Sequence, residues 1–225
     1  MSVRGRLKLA VFISGRGSNM EAIARACRDG SLAAQIVLVI SDRADAGGLA
    51  VAHALGLPST VVEPGAGGDR AQWEAALARS VDQSGADLLV LAGFMRVLSA
   101  AFVARYAGRI LNIHPSLLPK FKGLHTHRRA LEAGESEHGA SVHFVTAELD
   151  GGPVICQGRV AIRAGEDEHS LAARVMREEH RIYRLAIGLI AAGRVRLERD
   201  RVMLDGRVLK EPVRAEPQPL RGAVE

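Results

Sequence analysis

Asn112 and His114 stand two residues apart at the end of an apolar run, directly before Pro115, in Asn112-Ile113-His114-Pro115-Ser116-Leu117-Leu118-Pro119. A carboxylate, Asp150, follows further on, in Leu149-Asp150-Gly151-Gly152-Pro153. On a strand, residues i and i+2 point to one face, so the amide and the imidazole would look into one cavity. Pro115 removes a ladder donor and ends the strand, which leaves both groups at its carboxyl end. An Asn that donates to an oxyanion, a His that holds or moves a proton and a remote carboxylate that tunes it would serve acyl transfer. No Ser or Cys nucleophile is needed if a substrate amine attacks. Each residue also has a plainer role. Asn satisfies turns, His is often a hydrogen-bonded core residue, and Asp before Gly-Gly forms turns. The pairing, at a strand end before Pro, favours chemistry.

A second candidate is Ser14-Gly15-Arg16-Gly17-Ser18-Asn19, between a strand and a helix. Glycines let the backbone approach a ligand, and the helix start offers unpaired N–H groups and a positive dipole end, which suits a phosphate. The third Gly of a dinucleotide fingerprint is missing, and no Gly-Lys-Ser/Thr follows, so a single phosphate is expected. The alternative is a tight turn with Ser18 or Asn19 capping the helix. The run Leu91-Ala92-Gly93-Phe94-Met95-Arg96-Val97-Leu98 places an apolar loop after another strand, suited to a flat aromatic ligand or to the packing of a helix start. Gly123-Leu124-His125-Thr126-His127 opens a helix. Its His-x-His spacing has no C-x-x-C, H-E-x-x-H or carboxylate cluster beside it, so substrate contacts or loop packing are expected and a metal is not.

The elements that must position these residues alternate. Strands are expected over 8–14, 34–41, 59–62, 88–92 and 109–114, and helices over 19–28, 48–55 and 69–84. That βαβα order predicts a doubly wound, mostly parallel α/β sheet in a single domain. After His114 the texture changes to two strands, 140–145 and 154–162, expected to run antiparallel. A long helix over 168–192 follows, then a hairpin over 201–210 with an Asp205-Gly206 turn. From Glu211 the chain reads as a loose, Pro-containing tail.

Composition excludes several classes. The chain has 225 residues, 48% of them apolar, enough for one sizeable core. Its apolar runs are too short to cross a bilayer, and its basic start lacks a cleavable signal's separate apolar core, so a cytoplasmic protein is expected. Cys27 and Cys156 are too few for a disulfide framework or a zinc site and read as small buried hydrophobes. The formal charge is +5, but the basic residues are dispersed and the aromatics are five Phe, two Tyr and one Trp. Nucleic-acid binding is therefore not expected, and an anionic small-molecule substrate accounts for the charge equally well.

Gly17-Ser18-Asn19, the 91–96 run, Leu111 to Pro119, Gly123-Leu124-His125-Thr126-His127-Arg128, Ser141-Val142-His143-Phe144-Val145 and Leu149 to Ile155 together resemble the phosphoribosylglycinamide formyltransferase family, folate-dependent transformylases of purine synthesis. The resemblance implies a formyltransferase-like Rossmann fold over 1–210, with a phosphate-binding half over about 1–108, a catalytic and folate half over about 109–210, and a flexible tail over 211–225. It implies that Gly17, Ser18 and Asn19 bind the ribonucleotide phosphate and that Glu179 lies near the ribose. Arg70, Met95, Arg96, Val97, Leu98 and Asn112 would line the side for 10-formyltetrahydrofolate, the co-substrate, with no metal. His114 would donate the proton, with Asp150 assisting. Met176 stands where family members often carry a polar residue near the substrate. The Asn-x-His and Asp elements are shared with enzymes that formylate other acceptors and with formyltetrahydrofolate hydrolases, which are expected to carry an additional domain. A non-catalytic nucleotide-binding module is disfavoured by the intact Asn112, His114 and Asp150. A monomer or a homodimer fits the sequence equally, and whether 65–68 closes over the folate is left open.

Overall fold

A computed structural model describes residues 5–65 and 69–214. Residues 66–68 of the candidate closing loop and 215–225 of the expected tail lie outside it. The first half alternates as expected: β1 (Leu7–Ile13), α1 (Ser18–Arg28), β2 (Ala34–Ser41), α2 (Gly47–Ala54), β3 (Ser59–Val61), α3 (Arg70–Ser84), β4 (Leu88–Leu91), α4 (Ala100–Arg105) and β5 (Ile110–His114). These five strands are parallel in the order β3-β2-β1-β4-β5. The chain fills one side of β1 first and then crosses to the other, so β1 and β4 flank the point where connections diverge. Open α/β sheets bind ligands there, outside the carboxyl ends of the strands.

Alternation along β1 divides the core. Leu9, Val11 and Ile13 face one layer with α1 and the later α6, while Ala10 and Phe12 face a second layer with α3 and α4. Leu88 to Leu91 is buried at every position, the signature of a strand covered on both faces.

Beyond β5 come α5 (Thr126–Glu132), β6 (Glu137–Phe144), β7 (Val154–Ala161), α6 (Glu168–Ala191), β8 (Val195–Glu198), β9 (Arg201–Leu204), β10 (Arg207–Val208) and β11 (Val213–Arg214). Strands β6 and β7 extend the sheet antiparallel beyond β5. Helix α6 spans that region, and its Tyr183 hydroxyl donates to the carbonyls of Leu91 (3.0 Å) and Leu111 (3.2 Å). Two expectations change. The hairpin over 201–210 belongs to a three-stranded sheet, because β8 pairs antiparallel with β9. The stretch from Glu211 is not loose at its start: Val213 and Arg214 pair with Cys156 and Gln157 of β7. Exposed residues between short edge strands carry little periodic signal, so neither pairing shows as an alternation. Among the described residues, no helix is long and apolar enough to cross a membrane.

Candidate active site

The site is assembled at the carboxyl ends of three neighbouring strands, β5, β4 and β1. Asn112 and His114 share a face of β5 with Ile110, on the side away from α6. Strand β6 runs beside them with Asn112 opposite His143 and His114 opposite Ser141. The connection from β6 to β7 folds back and presents Asp150, in left-handed backbone at φ 48°, to the imidazole. Asp150 Oδ2 lies 3.3 Å from His114 Nδ1 and accepts the Gly123 backbone N–H at 3.0 Å. The side chains of His114 and Asp150 are 7% and 8% exposed, so the pair sits in a weakly screened environment.

Hydrogen-bond chemistry fixes two ring orientations. His114 Nε2 is 2.9 Å from the Phe121 carbonyl, which can only accept, so Nε2 carries a hydrogen. Nδ1 is then the position where a proton is gained or lost, beside Asp150 and the cavity. His143 Nδ1 is 2.9 Å from the Phe144 carbonyl and donates for the same reason. Burial lowers the His143 pKa and keeps the ring neutral, so its Nε2 accepts from Asn112 Nδ2 at 3.2 Å. The second Asn112 N–H faces Asp150 Oδ1 at the longer distance of 3.4 Å. His143 thus orients the Asn112 amide. It appears in the sequence only within the Ser-Val-His-Phe-Val run, and its partnership needs the β5–β6 register to be seen.

A cavity of about 600 Å³ opens in front of these groups, within the usual range for small-ligand sites. Asn112, His114 and Asp150 line it with Met95, Arg96, Val97 and Leu98. Met95 and Val97 are exposed at its rim. Arg96 is held by the buried Asp42 carboxylate at the end of β2, at 2.8 Å. Arg70 does not line the cavity. Its guanidinium bonds Glu74 at 3.2 Å and the Val97 carbonyl, and Glu74 also accepts the Ser99 N–H at 2.7 Å. Arg70 and Glu74 therefore fix the wall that Val97 and Leu98 form. His125, Thr126 and His127 also line the cavity. Burial lowers the His127 pKa, and its Nδ1 is buried without a partner. Among the described residues no three His, Cys, Asp or Glu side chains gather as a metal set.

The glycine turn lies apart from that lining. Ser14 joins the two, donating its N–H to the Gly93 carbonyl (3.2 Å) and accepting the Met95 N–H at Oγ (2.9 Å). Gly17, at φ 77°, is the N-cap of α1, and no side chain caps the helix. The alternative of a Ser18 or Asn19 cap is thereby overturned. Ser18 Oγ contacts Met176 Sδ at 3.6 Å, and Asn19 Nδ2 donates to Glu179 Oε2 at 2.8 Å. The first N–H groups of α1 are left to an external acceptor. Burial raises the Glu179 pKa, and Asn19 Oδ1 is buried without a partner. Glycine is required at position 17 twice over, because a Cβ there would also sit 2.8 Å from Gly48 Cα.

Residues 7–187 match the formyl transferase family. The phosphoribosylglycinamide formyltransferase of Escherichia coli (strain K12) is 49% identical over 203 residues, covering 90% of this chain and 96% of that protein. The solved phosphoribosylglycinamide formyltransferase of Coxiella burnetii superposes with a TM-score of 0.87 at 47% identity, covering 90% of this chain and 95% of that one. A formyltetrahydrofolate deformylase from Pseudomonas putida KT2440 superposes at 0.81 with 29% identity, covering 88% of this chain and 70% of that one. On this sequence and structural agreement, the chain belongs to the formyl transferase family, beside the phosphoribosylglycinamide formyltransferases.

Proposed function

We propose that this chain transfers the formyl group of 10-formyltetrahydrofolate to the amine of 5′-phosphoribosylglycinamide, as a cytoplasmic enzyme of de novo purine synthesis. The observation that carries the reading is the Asn112–His114–Asp150 cluster facing the cavity while Ser14 ties that cavity's wall to the uncapped glycine turn. The folate occupies the cavity, with its ring along Met95 to Leu98. The phosphate takes the free N–H groups of Gly17 to Asn19, and the ribose hydroxyls lie near Glu179.

In this mechanism the amine nitrogen attacks the formyl carbon, and the carbonyl π electrons move to oxygen. The oxyanion takes the Asn112 N–H that otherwise makes the long contact to Asp150, together with the hydrogen on protonated His114 Nδ1. The nitrogen loses a proton toward Asp150 through water. That proton is relayed to N10, the oxyanion's electrons re-form the carbonyl as the carbon–N10 bond breaks, and tetrahydrofolate leaves. A second reading, hydrolysis of the formylfolate by water, is favoured by the likeness to the Pseudomonas putida deformylase. One assay separates them. Formylfolate is incubated with the ribonucleotide, with water alone and with other amines. Tetrahydrofolate release that needs the ribonucleotide and yields the formylated amine supports transfer. Equal release in water alone refutes it.

A further inference from the structure

We infer that Arg16 supplies the positive charge that holds the ribonucleotide's phosphate, in a cradle to which Met176 contributes none; the assignment rests on the ribonucleotide reading above. A phosphate monoester carries about −1.5 to −2 charges at neutral pH, whereas a helix start offers the equivalent of roughly +0.5. Backbone N–H groups alone leave most of that charge uncompensated, so a side-chain cation is wanted at the turn.

The face of α6 that meets α1 here supplies none. It presents the Met176 thioether to Ser18 and the Glu179 carboxyl to Asn19. Arg177, next along, is turned about 100° round the helix and is exposed. Nearby arginines on other elements are engaged: Arg25 with Glu21, Arg43 with Asp45 and Arg96 with Asp42.

Arg16 differs from all of these. It is exposed and makes no hydrogen bond or ion pair among the described residues. Its backbone is nevertheless pinned, since Gly15 accepts the Gly48 N–H at 2.9 Å and Gly17 packs on Gly48. That pinning places it one residue before the N-cap of α1. It also lies against the start of α2, where a Cβ on Gly47 would be 3.9 Å from Arg16 Cα. Helix α2 likewise starts without a side-chain cap. A cation beside two positive helix ends is in an unfavourable field, which an anion bound between them would reverse. Beside it, Asn19 is 7% exposed and its buried Oδ1 lacks a partner, an acceptor suited to a sugar hydroxyl. The guanidinium fork matches phosphate oxygens two at a time.

The test compares wild type, Arg16→Gln, Arg177→Gln and Arg16→Gln/Met176→Lys, with the ribonucleotide and with the nucleoside lacking the 5′-phosphate. Loss of one charged hydrogen-bond partner corresponds to a factor of about ten to a hundred in binding. Arg16→Gln is expected to raise the ribonucleotide KM at least about ten-fold at low salt, less at high salt, and to leave KM for the nucleoside and for formylfolate unchanged. Met176→Lys added to it restores a large part of the loss, and Arg177→Gln changes little. A wild-type enzyme that requires the phosphate, with Arg16→Gln matching it, overturns the assignment alone. So does an equal loss on the nucleoside. A wild-type enzyme indifferent to the phosphate overturns the ribonucleotide reading and the assignment with it.

Discussion

Replacing Asp150 with Asn tests the charge arrangement with little change in shape. Asn tolerates the left-handed backbone that Asp150 adopts, so the loop can keep its course. What is removed is a negative charge 3.3 Å from His114 Nδ1, between side chains that are almost fully buried. At that separation and an effective dielectric near 20, a full charge pair is worth about 5 kcal/mol. Breaking one side of a buried pair commonly costs about 3–5 kcal/mol. If the imidazolium must form to meet the oxyanion, a transition-state loss in that range lowers kcat by about 150- to 5,000-fold. The folate and ribonucleotide KM values should shift far less, because Asp150 acts on developing charge. Steady-state kinetics of wild type and Asp150→Asn, with unfolding midpoints to confirm the fold, measures this. A kcat within about five-fold of wild type, or a loss carried mainly by KM, refutes the reasoning.

Three further outcomes follow from the same geometry. His143→Phe keeps a ring but leaves the Phe144 carbonyl and one Asn112 N–H unpaired, so stability should fall by about 1–3 kcal/mol and kcat by roughly ten-fold or more; unchanged kcat in a folded variant would remove His143 from the argument. Gly17→Val drives a Cβ into Gly48 and occupies a left-handed position, so ribonucleotide binding should weaken far more than formylfolate binding, whereas equal loss indicates misfolding. Burial pushes the His138 pKa from its ordinary 6.5 down to about 4. The unfolded chain therefore binds the proton first, and stability should be full above about pH 6.5 and decline as pH falls toward 4. Urea midpoints across that range should fall more steeply in wild type than in His138→Phe, and parallel curves would contradict this.

Much of the scaffold was legible because buried parallel strands leave continuous apolar runs. The segment 88–92 could be read at once, and Asn112 with His114 could be placed on one face from spacing alone. What escaped was set by partners distant in sequence. Strand β8, Val-Arg-Leu-Glu, is short and charged, and only its pairing with β9 makes it a strand. Strand β11 is two residues long and held by β7. Helix α4 is six residues, too short for a periodic stripe. In the site, a turn-forming Asp was paired with His114 from chemistry, yet His143, Asp42 and Glu74 were not selected. Each matters through the group it holds: the amide of Asn112, the guanidinium of Arg96, the Val97–Ser99 wall. Ser18 and Asn19 show the converse, since their types suggest capping while their side chains turn to α6 instead.

The reversal of strand direction at β6 divides the site between strand and connection. Asn112 and His143 are both ladder residues, facing each other across paired strands. Their donor and acceptor are thus preorganised, and on the proposed mechanism the amide would meet developing charge with little reorganisation. Asp150 is different, because it hangs on the connection between β6 and β7 and reaches His114 through a turn. The Asn112 amide is thus held by the sheet itself, and the Asp150 carboxylate by a connection between strands. On the proposed mechanism, a shift of that connection would withdraw the carboxylate from His114 and weaken both proton transfer and the imidazolium's share of the oxyanion contact, while the Asn112 share stayed in place.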